Sequence, residues 1–136
     1  MTDEIYEPWY CEILSEPMRV SLKSFSYHAN STLDICVWNS SNRDQHLIIR
    51  FPELPIATRF TYDSQRLVSF RALPEGFSHF INVVRNSNFI SWLNYESLEI
   101  YKNDPLNHFT ILVDDEWIDV ITSDFPEIIF SEQKAK

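Results

Sequence analysis

A chain of 136 residues with 44% hydrophobic content can fill one domain with one sizeable core, and its aromatic content of 15% excludes a disordered polymer. The formal charge of −9 is regional: eight bases face five acids over residues 19–85, whereas ten acids face the single base Lys102 over residues 96–132. Asp3, Glu4, Glu7, Glu12 and Glu16 add an acidic amino-terminal stretch free of Lys and Arg, and a surface of that sign attracts a basic partner and repels nucleic acid.

The amino-terminal segment sets Tyr6, Trp9 and Tyr10 among those acids, either as a strand or arm packed on the domain or as a contact surface of rings and carboxylates. It lacks the basic and apolar blocks of a signal peptide, and no apolar run of the chain approaches the ~18 residues of a membrane helix. The expectation is a cytoplasmic protein that makes no membrane contact, with Cys11 and Cys36 as reduced thiols. Val20 and Leu22 alternate with Arg19, Ser21 and Lys23, which predicts a strand over residues 18–27. Leu33, Ile35 and Val37 alternate with Asp34, Cys36 and Trp38, and the turn residues 39–44 lead to a return strand over 45–51 with Leu47, Ile49 and Phe51 inward. Pro52 and Pro55 end it, and residues 56–62 read as a further strand.

After Gly76 the period changes: Phe77, Phe80, Ile81 and Val84 recur at intervals of three and four, and where Asn86–Asn88 interrupt them Phe89, Ile90, Leu93 and Ser97 form a second short helix. That spacing predicts a mainly helical region over 77–97. Alternation returns in Phe109, Ile111 and Val113 and again in Ile118, Val120 and Thr122, with Asp114, Asp115 and Glu116 as the turn between them, which predicts an antiparallel hairpin over 107–122. The apolar run 128–130 follows Pro126, and residues 131–136 read as a frayed tail. These elements assemble as a single α+β domain over 1–136, a mainly antiparallel twisted sheet of about six strands, open or curled to a half-barrel, with the helical region on one face.

The chemistry is constrained by Gly76, the only glycine, because phosphate loops, dinucleotide fingerprints and the nucleophile elbow each need several. His28, His46, His79 and His108 have no His or Cys three or four residues away and read as surface or packing histidines, and Cys36 reads as an inert strand thiol. No catalytic residue, metal ligand or cofactor is assigned. The densest carboxylate group is Asp114, Asp115, Glu116 and Asp119, which lacks the glycine and ligand spacing of a calcium loop. Trp117 falls on the polar face of its strand and points the same way as Asp119, so Asp114, Asp115, Glu116, Trp117 and Asp119 are the candidate partner-binding surface, with amino-terminal acids as a second contribution.

In size, acidity, scarcity of glycine and this acidic cluster beside Trp117, the chain resembles small bacterial immunity proteins that neutralise a nuclease toxin, including those of contact-dependent growth inhibition. The resemblance implies a non-catalytic inhibitor whose acidic face blocks the active site or substrate groove of a basic toxin. Two other classes stay open, a structural or regulatory homo-oligomer and a small enzyme or ligand carrier. An oligomer would need an apolar patch or open strand edge, and an enzyme a pocket of convergent polar groups.

Overall fold

The computed structural model describes residues 3–9, 19–29, 32–66, 69, 73 and 79–132. The expectations for Tyr10, Cys11, Met18, Phe77, Ser78 and residues 133–136 lie outside the described residues.

The described chain forms nine strands and one α-helix: β1 (Ile5–Pro8), β2 (Val20–Tyr27), β3 (Leu33–Asn39), β4 (Asn42–Phe51), β5 (Ala57–Tyr62), β6 (Ile81–Arg85), α1 (Asn88–Glu96), β7 (Asn107–Val113), β8 (Glu116–Thr122) and β9 (Glu127–Glu132). Every pairing is antiparallel, in a five-stranded sheet of order β1-β6-β7-β8-β5 and a four-stranded sheet of order β2-β3-β4-β9. The mainly antiparallel character matches the sequence reading. The single sheet of about six strands does not: the strands divide between two sheets.

Alternation explains the division. Leu33, Ile35 and Val37 of β3 and Leu47, Ile49 and Phe51 of β4 project from one face of the four-stranded sheet. They share one buried cluster with Ile81, Phe109, Ile111, Val113, Ile118 and Val120 of the five-stranded sheet. Each such side chain removed from water contributes roughly 1.5–3 kcal/mol, so this seam holds the two sheets face to face. At one margin of the sandwich the edge strands β2 and β5 meet through Phe25 and Phe60, whose ring centroids are 4.6 Å apart, and through the Tyr27 and Thr58 hydroxyls at 2.8 Å.

The helical region expected over 77–97 is corrected. Residues 81–85 are a strand, while the second short helix expected from Phe89 onward is present as α1. The misleading period has a physical cause: β6 is buried on both faces, with Ile81 in the sandwich seam and Val84 packed with Tyr6 and Trp117 on the outer side. A strand covered on both faces loses its polar alternation, and apolar residues then fall at spacings that imitate a helix. The frayed tail is corrected as well, since Ser131 and Glu132 belong to β9 and pair with His46 and Gln45. No described helix is long and apolar enough to cross a membrane.

Candidate functional site

The hairpin expected over 107–122 is present as β7 and β8, and its tip places Asp114 and Asp115 in water with Glu116 half-buried beside them. Trp117 and Asp119 do not join them. Trp117 is 1% exposed and Asp119 fully buried, both on the outer face of the five-stranded sheet and beneath other parts of the chain. The surface read from the sequence therefore breaks into an accessible tip of three acids and a buried pair. The Asp114 amide donates to the Val20 carbonyl and the Ser40 amide to the Arg19 carbonyl, so the start of β2 and the turn of the β3–β4 hairpin lie at the same end of the sandwich as the tip. Two of the amino-terminal acids are committed within the fold, since Glu4 accepts from the Tyr6 hydroxyl at 3.0 Å and the Asn88 amide at 2.9 Å, and Glu7 accepts from Arg85 Nε at 2.7 Å, while Glu12 and Glu16 lie outside the described residues. Burial, reinforced by Glu4, pushes the Tyr6 phenol up to about 12.

Around Asp119 the structure assembles a cluster of polar side chains. Its Oδ1 accepts from Thr110 Oγ1 at 2.8 Å and lies 2.7 Å from His108 Nε2, while Oδ2 accepts from Arg59 Nε at 3.1 Å and from Arg66 Nη1. His108 Nδ1 lies 2.7 Å from Ser87 Oγ, and that oxygen accepts from the Ile90 amide as the N-cap of α1. Two rings complete the enclosure, with Arg59 stacked 4.4 Å from the Phe89 centroid and Arg66 4.7 Å from that of Trp117. Burial by itself would raise the Asp119 carboxyl, but the hydrogen bond from His108 and the charges of Arg59 and Arg66 outweigh it and hold the group far below the usual carboxylate range.

Ser87, His108 and Asp119 are the residue types of a nucleophile, a base and its orienting acid. Their surroundings suit a structural role instead, since the three are 7%, 0% and 0% exposed and the serine oxygen already caps a helix. What the arrangement does is tie the start of α1 to β7 and β8 through hydrogen bonds shielded from water. Sequence reasoning treated His108 as an isolated histidine. The signal that could have found the cluster is the hairpin register, which sets Thr110 opposite Asp119 and His108 one pair further along the same face.

The opposite end of the sandwich carries α1 and the turns after it. Phe89 and Leu93 pack inward with Ile121, whereas Trp92, Tyr95, Leu98 and Ile100 stand 52%, 79%, 88% and 72% exposed. Exposed Glu96, Glu99 and Asp104 are interspersed with them. Ser91, Asn94, Tyr95, Glu96, Leu98 and Glu99 line an open groove of about 760 Å³. A second, smaller cleft of about 200 Å³ is lined by His28, Thr32, Asp34 and Arg50 on the four-stranded sheet.

Cys36 is a half-buried free thiol, and among the described residues no group of three or more His, Cys, Asp and Glu is placed to hold a metal ion. No protein-family profile, curated protein or solved structure matches the chain.

Proposed function

We propose that the protein is a non-catalytic acidic binding protein, an inhibitor or immunity protein that binds and neutralises a basic protein such as a toxin nuclease. The observation that carries this reading is where the charge stands: of the described acids from Glu96 to Glu127, Asp119 alone is buried. A field of exposed carboxylates accelerates encounter with a cationic surface and opposes nucleic acid, and exposed rings among them supply the contacts that slow dissociation. The test is affinity capture from the native cells, followed by calorimetric and stopped-flow titration of the purified captured protein at low and high salt. A basic protein whose association rate falls as salt rises is the expected result. Capture of acidic proteins only, or association that ignores salt, would overturn the reading.

A homo-oligomer is the second reading. Tyr27, Phe60 and Tyr62 stand 51%, 46% and 59% exposed where β2 and the edge strand β5 meet, a row that a second copy would cover. Sedimentation equilibrium giving a concentration-dependent mass, abolished by Tyr62→Lys, would favour it.

A further inference from the structure

Side chains as apolar as Trp92, Tyr95, Leu98 and Ile100 gain nothing by standing in water, yet along α1 and the turn after it each is more than half exposed among the described residues, and Tyr95 and Leu98 share a groove. We infer that the groove along α1 and the turn after it is the docking site for a cationic segment of a partner protein, one that presents Lys or Arg next to apolar side chains. This rests on the reading of the chain as a binder of basic proteins, and it assigns that binding to the α1 end instead of the Asp114–Asp115 tip.

Two features of the groove select that occupant. Tyr95 and Leu98 supply apolar walls, and the ring of Tyr95 offers a face on which a guanidinium or ammonium group can rest. Glu96 and Glu99 line the same groove, exposed Asp104 follows, and Lys102 is the only base among residues 86–132, so the local charge is strongly negative. A Lys or Arg head pairs with the Glu96 and Glu99 carboxylates while its methylene stem lies along Tyr95 and Leu98. A second copy of the chain is a poor occupant, because it would set Glu96, Glu99 and Asp104 against the same three acids.

The backbone keeps the apolar side chain outward. Leu98 and Glu99 take the left-handed conformation, with φ of 54° and 62°, at the end of α1 where glycine ordinarily stands. Leu98 contributes almost no burial to the fold, so the strained position serves a contact that the isolated chain does not make.

The experiment uses three synthetic peptides of equal length: an amphipathic helix of Lys and Leu, poly-lysine, and the amphipathic helix with Glu in place of Lys. Each is titrated into the protein with amide chemical shifts followed residue by residue. The Lys–Leu peptide is expected to bind tightest and to shift amides over residues 91–100, poly-lysine to bind more weakly at the same place, and the Glu–Leu peptide not to bind. Leu98→Gly and Tyr95→Ser are each expected to raise the Kd for the Lys–Leu peptide by about tenfold, and Glu96→Lys with Glu99→Lys to raise it by a similar factor. Leu98→Gly separates binding from folding, since glycine relieves the left-handed turn and its urea midpoint should be unchanged or higher. Shifts confined to the Asp114–Asp115 tip, with Kd raised only by Asp114→Lys and Asp115→Lys, would overturn the docking site while leaving the acidic-binder reading intact. Failure of both cationic peptides to bind would overturn both, and a dimer lost on Leu98→Gly would assign the groove to a second copy and overturn the inference.

Discussion

Asp34 on β3 and Asp119 on β8 occupy matching places, each on the outer face of its sheet, and each is held by arginine and histidine. Asp34 accepts from Arg50 at 2.8 and 3.0 Å and lies 3.1 Å from His28 Nε2. Asp119 is held by Arg59, Arg66 and His108. The difference lies in what crosses above them. The side chains of Arg50 and His28 are 39% and 47% exposed, whereas those of Arg66 and His108 are 7% and 0% exposed, with α1, Ser69 and Leu73 packed around them, and Arg59 at 34% is the one cation of that set that reaches water. One set of groups is thus a surface clamp on one sheet and a sealed junction on the other. A clamp whose cation can return to water is dispensable, and a junction that would strand a buried guanidinium is not.

The largest effect that would break this contrast is the loss of the sealed carboxylate. Asp119→Ala leaves Arg66 buried without its partner and is expected to cost about 3–5 kcal/mol by urea denaturation. A cost below about 1 kcal/mol would mean that the junction relaxes as easily as the clamp. Next comes Ser87→Ala, which removes both the cap of α1 and the contact to His108. It is expected to cost about 1–2 kcal/mol and to raise amide exchange over residues 88–93 more than in β7, since the helix is what that contact ties down. A uniform rise across the sheet would show that the serine supports the core instead.

Acid then sharpens the comparison. The hydrogen bond and charge of Arg50 lower Asp34 below its ordinary 3.8, as the contacts described above lower Asp119. A carboxyl whose folded pKa is depressed contributes stability that is present above its unfolded value and is lost as pH falls through the folded one, so both contributions fade below pH 3.8. Because the junction is the tighter of the two, Asp119→Asn should flatten the acid limb of a stability–pH curve, and Asp34→Asn should leave most of its slope in place. The smallest effect is that of Asp34→Asn at neutral pH, expected to move the urea midpoint by only a small fraction of the Asp119→Ala shift. An equal shift would remove the distinction between the two sheets.

The hairpins were legible because their code is local. Leu33, Ile35 and Val37, and again Phe109, Ile111 and Val113, alternate with polar neighbours, and a period of two has only one regular backbone that keeps one face dry. The accessible acids at 114 and 115 were legible for the same reason, as residues of a tight turn between two such runs. Residues 81–85 were misread because a strand covered on both faces carries no alternation, and nothing within five residues records what will lie above it.

The placement of Trp117 and Asp119 shows the division most sharply. Their shared direction follows from the sequence, since residues two apart on a strand point to one face. Whether that face meets water or a roof does not, because the roof is built by Ser87, Phe89, Arg66 and Leu73, tens of residues away in the chain. The half-buried hairpins, their turns and the sign of the charge are properties of neighbouring residues and could be read from them, whereas β6 and the division into two sheets could not. Which carboxylates are sealed and which rings stand in water follows from contacts between distant segments, which no local period encodes.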